Sequence, residues 1–586
     1  MNPLGNFLSL GLLPGSDKPL ILPPNIRDKH LYVCGGTGTG KSKFLESLIR
    51  QDIANWRKSK CGLLVIDPHG SLYDSLIHWM AWNKNALQGR PFVPIDLRQD
   101  EWVVSYNLLR QRPHADTEVL VDGLTEAIAH VWGQSGLTDT PRFARWAKNV
   151  LRPLYDSNLT LVEAELMMDV MRATLRRQIA AGTTSEGTRQ DWNFADALNE
   201  RDFDTQVGST VNRLRPFIDN ATLRTMFGIR DVSLDLGRAL EEGHIILVNL
   251  ATERAKISQE NARLFASLLI SDLWTAAKER GKPGDGSSVK PFYVFCDEFQ
   301  TMVTPTIAQN LDQARGFGLH LTLANQFPRQ IINSGPHGQA VYDSIMENAS
   351  SKVCFRLTSE DNLMPLAKWL FMRVVNPDEI KHELYSTKVM EYREEIREIR
   401  SAGHGTGSGT GRQRGRARGA GTGGTQNFIG DDTTNDPTGV SLSQSDFASD
   451  SESESASLSE AFSESVSYVP TLVPVLGKEL SHVQFRSLEE QVFRSMAVLF
   501  DLQERHAVCR LAGMKAPASI RTPTIESVPG SPEYTKKYLE SVYKSLSFAL
   551  PGADARAKLL ARAEGLAKEL LANSPEPKTA RRQIRG

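Results

Sequence analysis

The chain has little cysteine and no long hydrophobic run, and these two features argue against a disulfide-rich, cysteine-metal or membrane-spanning protein. Its 586 residues include five cysteines, and no two of them form a C-x-x-C pair. This spacing predicts neither a disulfide framework nor a cysteine metal cluster. No apolar stretch approaches the ~20 residues needed to span a bilayer. The N-terminal residues also lack the basic leader of a signal peptide. We therefore expect a cytoplasmic protein.

An excess of positive charge is lacking as well. The chain has 68 Lys and Arg residues against 69 Asp and Glu residues, which gives a net charge of −1. A strongly basic nucleic-acid binder would show more positive charge than this. Several copies placed around a central pore would need few cations each, so a neutral chain leaves DNA binding open.

Short β-rich runs alternate with helical patterns along much of the sequence. They are LYVC (31–34), GLLVID (62–67), FVPID (92–96), HIILVNL (244–250), FYVFCDE (292–298), LHLTLANQ (319–326) and KVCFRL (352–357). Such alternation predicts an α/β fold with a largely parallel central sheet that is covered on both faces. Between about 108 and 228 the apolar spacing is helical and no strand is evident, which predicts an inserted all-α domain.

The composition changes again near residue 401. A Gly/Arg-rich stretch is followed by a Ser-rich acidic one, and neither can bury much apolar surface. We therefore predict a disordered Gly/Ser-rich linker there. The predicted divisions are 1–107 and 229–400 for the two parts of the nucleotide-binding domain, 108–228 for the all-α insertion, 401–466 for the linker, and 467–586 for a C-terminal segment that partly returns to the first domain.

The sequence GGTGTGKS, from Gly35 to Ser42, carries the strongest chemical signal. It fits the P-loop pattern G-x-x-x-x-G-K-[ST], with a predicted strand before it and a predicted helix after it. Lys41 is expected to reach the β- and γ-phosphates of ATP, and the Ser42 hydroxyl is expected to bind Mg²⁺. The residues expected to contact the nucleotide are Gly35, Gly36, Thr37, Gly38, Thr39, Gly40, Lys41 and Ser42. The alternative is a chance glycine loop, which the flanking strand and helix disfavour.

Two later strands end in polar residues that suit hydrolysis. Asp297 follows an apolar strand and is expected to hold Mg²⁺, and Glu298 is expected to accept a proton from the attacking water. Gln326 ends another strand and is expected to sense the γ-phosphate and orient water. Its alternative role is to cap the next turn. Asp67 ends the second strand and is a candidate to support the water or the metal, whereas His69 is expected to be structural.

These motifs resemble those of a known superfamily. GGTGTGKS, VIDPHGSL, SYNLL, FCDEFQ and ARGFGLHLTLANQ follow one another in the order found in the HerA/FtsK superfamily of hexameric translocases. Within it, the chain is most similar to conjugative coupling ATPases of the TraG/TraD type, which feed DNA to type IV secretion channels. The resemblance covers roughly residues 30–375, and 470–525 more loosely. It implies a RecA-like P-loop NTPase fold with ATP and Mg²⁺ as cofactors.

The resemblance also implies a role for Arg315, which stands eleven residues before Gln326. In such motors an arginine at this position acts in the site of the neighbouring subunit, where it stabilises charge on the transferred phosphoryl group. The alternative is a surface ion pair with Asp312. Classical coupling proteins carry N-terminal transmembrane helices, which we do not expect in a sequence that begins about thirty residues before its P-loop. The periphery of the inner membrane is the alternative location.

The expected function is therefore that of an ATP-hydrolysing, homohexameric DNA translocase of the coupling-protein type. The expected partners are DNA without sequence preference, further copies of the chain, and a relaxase complex or a type IV secretion channel. Three alternatives stay open: a HerA-like motor in repair or defence that works with a separate nuclease, a protein-secretion ATPase, and a nucleotide-binding switch without motor action.

Overall fold

The structure is a computed structural model. It describes residues 7–83, 85–112, 116–133, 140–252, 256–281, 289–302, 311, 313–335, 337–405, 461–526, 528 and 531–572. The chain forms two compact units, of which the first comprises Met1–Pro377 and Ser487–Gly586 and the second comprises Asp378–Arg486.

The strands are, in chain order, β1 (Leu8–Leu12), β2 (Pro19–Leu22), β3 (Leu31–Cys34), β4 (Gly62–Asp67), β5 (Phe92–Asp96), β6 (Trp102–Val104), β7 (Ile245–Asn249), β8 (Phe292–Cys296), β9 (Leu319–Asn325), β10 (Ser351–Phe355), β11 (Ile380–Gly405), β12 (Ala461–Phe485), β13 (His506–Arg510), β14 (Ala518–Arg521) and β15 (Ala549–Pro551).

The α-helices are α1 (Pro24–Arg27), α2 (Lys41–Ala54), α3 (Trp56–Ser59), α4 (Ser71–Trp82), α5 (Thr117–Gly133), α6 (Thr140–Asp156), α7 (Ala164–Met168), α8 (Ala173–Ala181), α9 (Glu186–Asp196), α10 (Glu200–Ile218), α11 (Ala221–Phe227), α12 (Leu236–Glu242), α13 (Gln259–Glu279), α14 (Pro328–Ile332), α15 (Gly338–Asn348), α16 (Glu360–Phe371), α17 (Leu488–Phe500), α18 (Pro532–Ser545) and α19 (Gly552–Ala572).

An eleven-stranded sheet organises the first unit, in the order β2-β1-β14-β13-β10-β3-β9-β8-β4-β7-β5. The strands from β10 to β5 are parallel, and the four at the other side are antiparallel. Every residue of β3, β4, β7, β8 and β10 is buried. These strands are nearly continuous apolar runs because helices cover both faces of a parallel sheet. The predicted α/β fold class, with a largely parallel central sheet, is confirmed.

The strand order brings distant parts of the sequence to one edge. β9 lies between β3, which precedes the P-loop, and β8, which precedes the acidic pair. Because these strands are parallel, their carboxyl ends meet at the same edge of the sheet, where α/β proteins bind ligands. The C-terminal strand β13 pairs antiparallel with β10 and so joins this sheet from the far end of the sequence.

Helices fill the chain between β6 and β7, and no strand occurs in the residues that the structure describes there. Their core includes Trp146 and Trp192, whose rings pack edge to face at 5.0 Å. The SYNLL segment joins this part of the chain to the rest, because the Tyr106 hydroxyl donates to Asp272 on α13 at 2.7 Å. Across the described ranges, no helix has both the length and the apolar character required to cross a bilayer.

The second unit is a long antiparallel hairpin of β11 and β12, with paired residues from Ile380 and Phe485 to Gly405 and Ala461. The structure here differs from the sequence-based division. Residues 401–405 and 461–466, predicted to belong to the disordered linker, are strand residues. Residues 380–400, predicted to belong to the nucleotide-binding domain, lie in this hairpin. Composition misses such pairing because the two strands are far apart in sequence. The rest of the predicted linker, 406–460, lies outside the described residues.

Candidate active site

Three glycines of the P-loop occupy positions that a side chain would disturb. The loop leaves β3 and enters α2, and Gly38 and Gly40 have φ values of 76° and 104°. Such left-handed conformations are readily adopted by glycine alone. A Cβ atom on Gly35 would lie 2.4 Å from the Cβ of Phe355. The loop therefore leads directly into the N-terminus of α2, which is a favourable place for an anion.

Neighbouring strands brace the backbone of this loop. The N–H groups of its first two residues donate to the carbonyls of Asn325 at 3.3 Å and Arg356 at 3.1 Å. The N–H group of Arg505, just before β13, donates to the Thr39 carbonyl at 3.0 Å. Sequence analysis missed this contact, because Arg505 stands in no recognisable motif. Its φ of 65° is also uncommon for a residue other than glycine.

Lys41 points to the acidic pair at the end of β8. Its Nζ atom lies 2.6 Å from Glu298 Oε1 and 3.1 Å from Asp297 Oδ1, and all three side chains are buried. Burial alone would lower the pKa of Lys41, but the two carboxylates outweigh it and raise this pKa. Burial would likewise raise the pKa of Glu298, but Lys41 and two glutamine amides lower it. Both groups are therefore charged at neutral pH.

The remaining predicted residues of this edge complete the cluster. The Ser42 hydroxyl donates to Asp297 Oδ2 at 3.2 Å. The Gln326 amide donates to Glu298 Oε1 at 3.3 Å, and its oxygen accepts from the Thr37 hydroxyl at 3.3 Å. The structure thus brings Lys41, Ser42, Asp297, Glu298 and Gln326 together.

The turn after β9 is capped by a different glutamine. Gln330 Oε1 accepts the backbone N–H groups of Gln326 at 3.0 Å and of Phe327 at 3.2 Å. The Gln326 side chain is therefore not used to cap this turn, and its amide lies against Glu298.

Gln300 is a member of the cluster that sequence analysis missed. Its amide nitrogen donates to Glu298 Oε2 at 2.6 Å, so each carboxylate oxygen of Glu298 accepts from a glutamine. The sequence did point to Gln300, because it is the last residue of the FCDEFQ motif. Glu298 itself has a φ of 46°. A left-handed backbone at a residue other than glycine is costly, and such strain is typical of functional sites.

Arg315 lies away from this cluster. It begins a 3₁₀ turn, Arg315–Phe317, which precedes β9 at the amino edge of the sheet. Gln326 follows β9 at the opposite edge. Because the seven residues of β9 separate Arg315 from Gln326, these two residues lie about 20 Å apart. The Arg315 side chain is exposed and forms no ion pair with any described residue. Asp312, its alternative partner in the sequence analysis, lies outside the described residues.

Asp67 uses both oxygens of its carboxylate to hold the backbone of the turn that follows β4. Its two oxygens accept the N–H groups of His69 at 2.9 Å and Tyr73 at 2.8 Å, at the start of α4. Burial raises its pKa, and these hydrogen bonds oppose the shift. The DPHG motif is therefore a turn held by its own aspartate.

The donor set at this edge fits a magnesium ion that is bound largely by phosphate and water. No group of three or more His, Cys, Asp or Glu side chains suited to a metal occurs among the residues that the structure describes. Ser42 and Asp297 offer two adjacent oxygen ligands. Mg²⁺ keeps several waters and binds to proteins through one or two carboxylates together with substrate phosphates, which agrees with this set.

Comparison with known proteins gives one family match over most of the chain. The family model described as the type IV secretion-system coupling protein DNA-binding domain matches residues 19–376. No curated protein matches the chain. Among solved structures, the bacterial conjugative coupling protein TrwBdeltaN70 is 11% identical with a TM-score of 0.46, and the match covers 91% of this chain and 92% of that one.

Two further solved structures are similar at the same level. The plasmid coupling protein TrwB in complex with ADP and Mg²⁺ is 11% identical with a TM-score of 0.46, over 89% of this chain and 91% of that one. VirB4 of Thermoanaerobacter pseudethanolicus is 14% identical with a TM-score of 0.42, over 64% of this chain and 90% of that one.

Proposed function

The chain belongs to the family of type IV secretion-system coupling proteins, and from this premise we propose that it is an ATP-hydrolysing DNA translocase that works as a homohexamer. The observation that carries the proposal is the contact of Lys41, at the end of the P-loop, with both carboxylates of the Asp297-Glu298 pair. A phosphate-binding cation, a metal ligand and a candidate base are then within one hydrogen bond of each other.

Each group has a role in the binding of ATP and Mg²⁺. The N–H groups of the loop and the N-terminus of α2 receive the phosphates. Lys41 exchanges Glu298 for oxygens of the β- and γ-phosphates. Ser42 and Asp297 would hold Mg²⁺. The ion, when bound, would supply positive charge that offsets the negative charge developing on the transferred phosphoryl group.

Glu298 is the general base of the proposed hydrolysis. Its lowered pKa keeps it ionised, and the amides of Gln300 and Gln326 fix the direction of its carboxylate. Once Lys41 turns to the phosphates, Glu298 loses its strongest cationic partner and its basicity rises. It then takes a proton from a water molecule in line with the γ-phosphate, while Gln326 orients that water and senses the phosphate.

Arg315 completes the site of another subunit. It lies at the amino edge of its own sheet, about 20 Å from its own Gln326 along β9, so it cannot contact a nucleotide bound to the same chain. A ring places the amino edge of one copy against the carboxyl edge of the next. The separation of Arg315 from Lys41 therefore supports assembly into a closed ring.

DNA is the proposed cargo, because the matching family model is described as a DNA-binding domain. Six nearly neutral copies need only a few cations each to line a pore. We expect binding without sequence preference, weakened by salt through counterion release. We propose that the translocase serves a relaxase complex or a type IV secretion channel, at the cytoplasmic side of the inner membrane.

The test is ATP hydrolysis with and without single- and double-stranded DNA, on protein sized by light scattering. We expect stimulation by DNA in rings, and no hydrolysis by the Lys41→Ala variant under either condition. A titration of DNA binding with salt, followed by fluorescence anisotropy, accompanies it. If confirmed rings hydrolyse ATP without any response to DNA and do not bind DNA at low salt, the chain is a protein-secretion ATPase instead.

A further inference from the structure

The turn that carries Arg315 is held from the interior by a second arginine. Nη2 of Arg280 donates to the carbonyl of Phe317, the last residue of the turn, at 2.6 Å. Nη1 donates to the carbonyls of Lys290 at 3.2 Å and Leu240 at 3.5 Å. One guanidinium thus joins three separate segments of backbone, and one of these is the Arg315 turn.

Arg280 makes these bonds without a carboxylate partner. No Asp or Glu in the described ranges forms an ion pair with it, so its charge is met by carbonyl oxygens. Burial lowers the pKa of Arg280 to about 10 against the opposing charge of the nearby Glu241 carboxylate, which forms no ion pair with it, and Arg280 is still charged at neutral pH. The planar, forked guanidinium suits this purpose, because it offers five donors in a fixed geometry. A lysine would offer a single flexible centre.

Two further contacts fix the turn against the same helix. The Phe317 ring packs edge to face on Trp274 of α13, with 5.5 Å between the ring centroids. Gly318, directly after the turn, has a φ of 70°, and a Cβ atom there would lie 2.7 Å from Nη2 of Arg280. The turn therefore closes onto the Arg280 guanidinium with no space for a side chain between them.

The helix that ends at Arg280 begins near the acidic motif. Arg280 is the C-cap of α13, which has 21 residues and is about 30 Å long. At its other end, Gln259 and Arg263 line a cavity of 240 Å³ together with Thr301. The N–H group of Thr301 donates to the Glu298 carbonyl at 3.0 Å. A single buried helix thus extends from the segment after Glu298 to the turn of Arg315.

We propose that Arg280 is the positioning residue that directs Arg315 toward the nucleotide of the neighbouring subunit. The inference rests on the proposed action of Arg315 in that site. Arg280 touches neither nucleotide and acts only through the carbonyl of Phe317. A displacement of a catalytic group by about 1 Å costs roughly 10²-fold in rate. We therefore expect that loss of the guanidinium slows ATP hydrolysis in rings by about 10²-fold, with nucleotide affinity unchanged.

Mixed rings separate this role from a general loss of structure. In rings of Arg280→Met subunits alone, every site faces a displaced Arg315. In rings that also contain Lys41→Ala subunits, some intact Arg280→Met sites receive a well-placed Arg315 from an inactive neighbour. We expect that hydrolysis per Arg280→Met subunit rises on mixing. A subunit that is damaged in its own site would not recover in this way.

The matched control is Arg90, a buried arginine that, like the half-buried Arg280, donates to backbone carbonyls, those of Cys61 at 3.2 Å and Ile53 at 3.0 Å. Arg90→Met removes equivalent bonds to segments other than the Arg315 turn, and we expect no recovery on mixing. The Arg280→Lys variant keeps the positive charge but loses the forked geometry of the guanidinium. It replaces Arg280→Met in the mixing experiment if Arg280→Met does not fold. It should show the same recovery, with a smaller initial loss.

Arg315→Ala rings provide the reference for these outcomes. If Arg315→Ala leaves hydrolysis unchanged, the proposed action of Arg315 is wrong, and the role of Arg280 is overturned with it. A second outcome is that Arg315→Ala lowers hydrolysis and recovers on mixing. If the folded Arg280 variants then hydrolyse at the wild-type rate, or do not recover on mixing, only the role of Arg280 is overturned. Recovery by both Arg315→Ala and Arg280→Met supports it.

Discussion

The two edges of the central sheet use positive charge in opposite ways. At the carboxyl edge, Lys41 is buried and bound to two carboxylates of the same chain. At the amino edge, Arg315 is exposed and has no ion-pair partner among the described residues. A cation held by its own chain can exchange its carboxylates for a ligand that enters there, whereas an exposed cation is accessible to a neighbouring molecule. Under the proposed function, each subunit therefore supplies parts of two different sites.

The titratable groups beside these cations differ in the same way. At the carboxyl edge, Lys41 lowers the pKa of Glu298, so both members of the pair are charged. At the amino edge, burial and the charges of Arg27, Arg280 and Arg315 together lower the pKa of His320 to about 4, against the opposing effect of its hydrogen bond to the Asp28 carbonyl. His320 is therefore neutral at physiological pH. The amino edge thus holds a neutral histidine whose Nε2 lies 3.6 Å from the Asp28 carboxylate, whereas the carboxyl edge holds a lysine bound to two carboxylates.

The largest effect is expected from the amino edge. Arg315→Ala in homogeneous rings should reduce ATP hydrolysis on the order of 10³- to 10⁵-fold, the usual contribution of an arginine finger. Rings mixed with Lys41→Ala subunits should recover part of the activity. Arg329→Ala is the matched control, because Arg329 is also exposed but is paired with Asp361 at 3.0 Å. A lack of recovery in rings shown to be mixed would contradict the assignment of the two edges to two sites.

A smaller loss is expected from the carboxyl edge. Glu298→Gln keeps the shape of the side chain but removes the base, so hydrolysis should fall about 10²- to 10⁴-fold. Nucleotide affinity should be retained, because Lys41 and the loop are intact. Titration with a fluorescent nucleotide analogue measures affinity, and phosphate release measures the rate. Loss of binding would instead assign Glu298 a structural role.

The neutral histidine predicts a dependence of stability on pH. An unfolded histidine has a pKa near 6.5, so below that pH the unfolded state binds a proton that the folded state excludes until pH falls to about 4. Stability contributed by neutral His320 is therefore complete above pH 7 and is lost as pH falls, by about 2 kcal/mol between pH 7 and 5. Urea unfolding at both pH values measures it. The His320→Gln variant retains a donor for the Asp28 carbonyl but cannot titrate, so its unfolding free energy should lose this part of the pH dependence. A pH dependence equal to that of the wild type would show that His320 is not its source.

The smallest effect is expected from a change that touches neither edge. Residues 406–460 can be replaced by a short turn, because Gly405 and Ala461, which flank them, are paired in the hairpin. The Gly- and Ser-rich composition of the deleted stretch offers little apolar surface to a core. Basal hydrolysis and the thermal unfolding of the first unit should be unchanged. A marked drop in the melting temperature would show that this stretch packs on an ordered element.

Local sequence was sufficient for the parts of the site that lie within one strand and its following loop. The glycine spacing before Lys41 and the acids after the FYVFC run each predict a strand and a turn, which the structure shows, and a phosphate or metal ligand, which stays a prediction. The α/β class followed from the alternation of strands and helices, and the structure confirms it. Gln300 was within reach of the same reasoning, since it stands two residues after Glu298.

Long-range pairing was not accessible to that reasoning. Nothing near β13 indicates that it joins β10, or that Arg505 braces the P-loop, because the partners lie more than a hundred residues away. The hairpin of β11 and β12 was missed for the same reason, since the partner of each strand lies on the other side of residues 406–460. The distance of Arg315 from its own Lys41 also depends on strand order, which sequence alone does not specify.

The contact between Arg505 and Thr39 has a consequence for how the protein is made. Arg505 lies 466 positions after Thr39, so a ribosome needs roughly 25–90 s to reach it after the P-loop has been synthesised. Until then, a growing chain carries the whole phosphate-binding sequence without the backbone donor that braces it. An incomplete chain therefore holds its phosphate loop by the carbonyls of Asn325 and Arg356 alone. Translation supplies the third backbone contact only once the C-terminal strands exist.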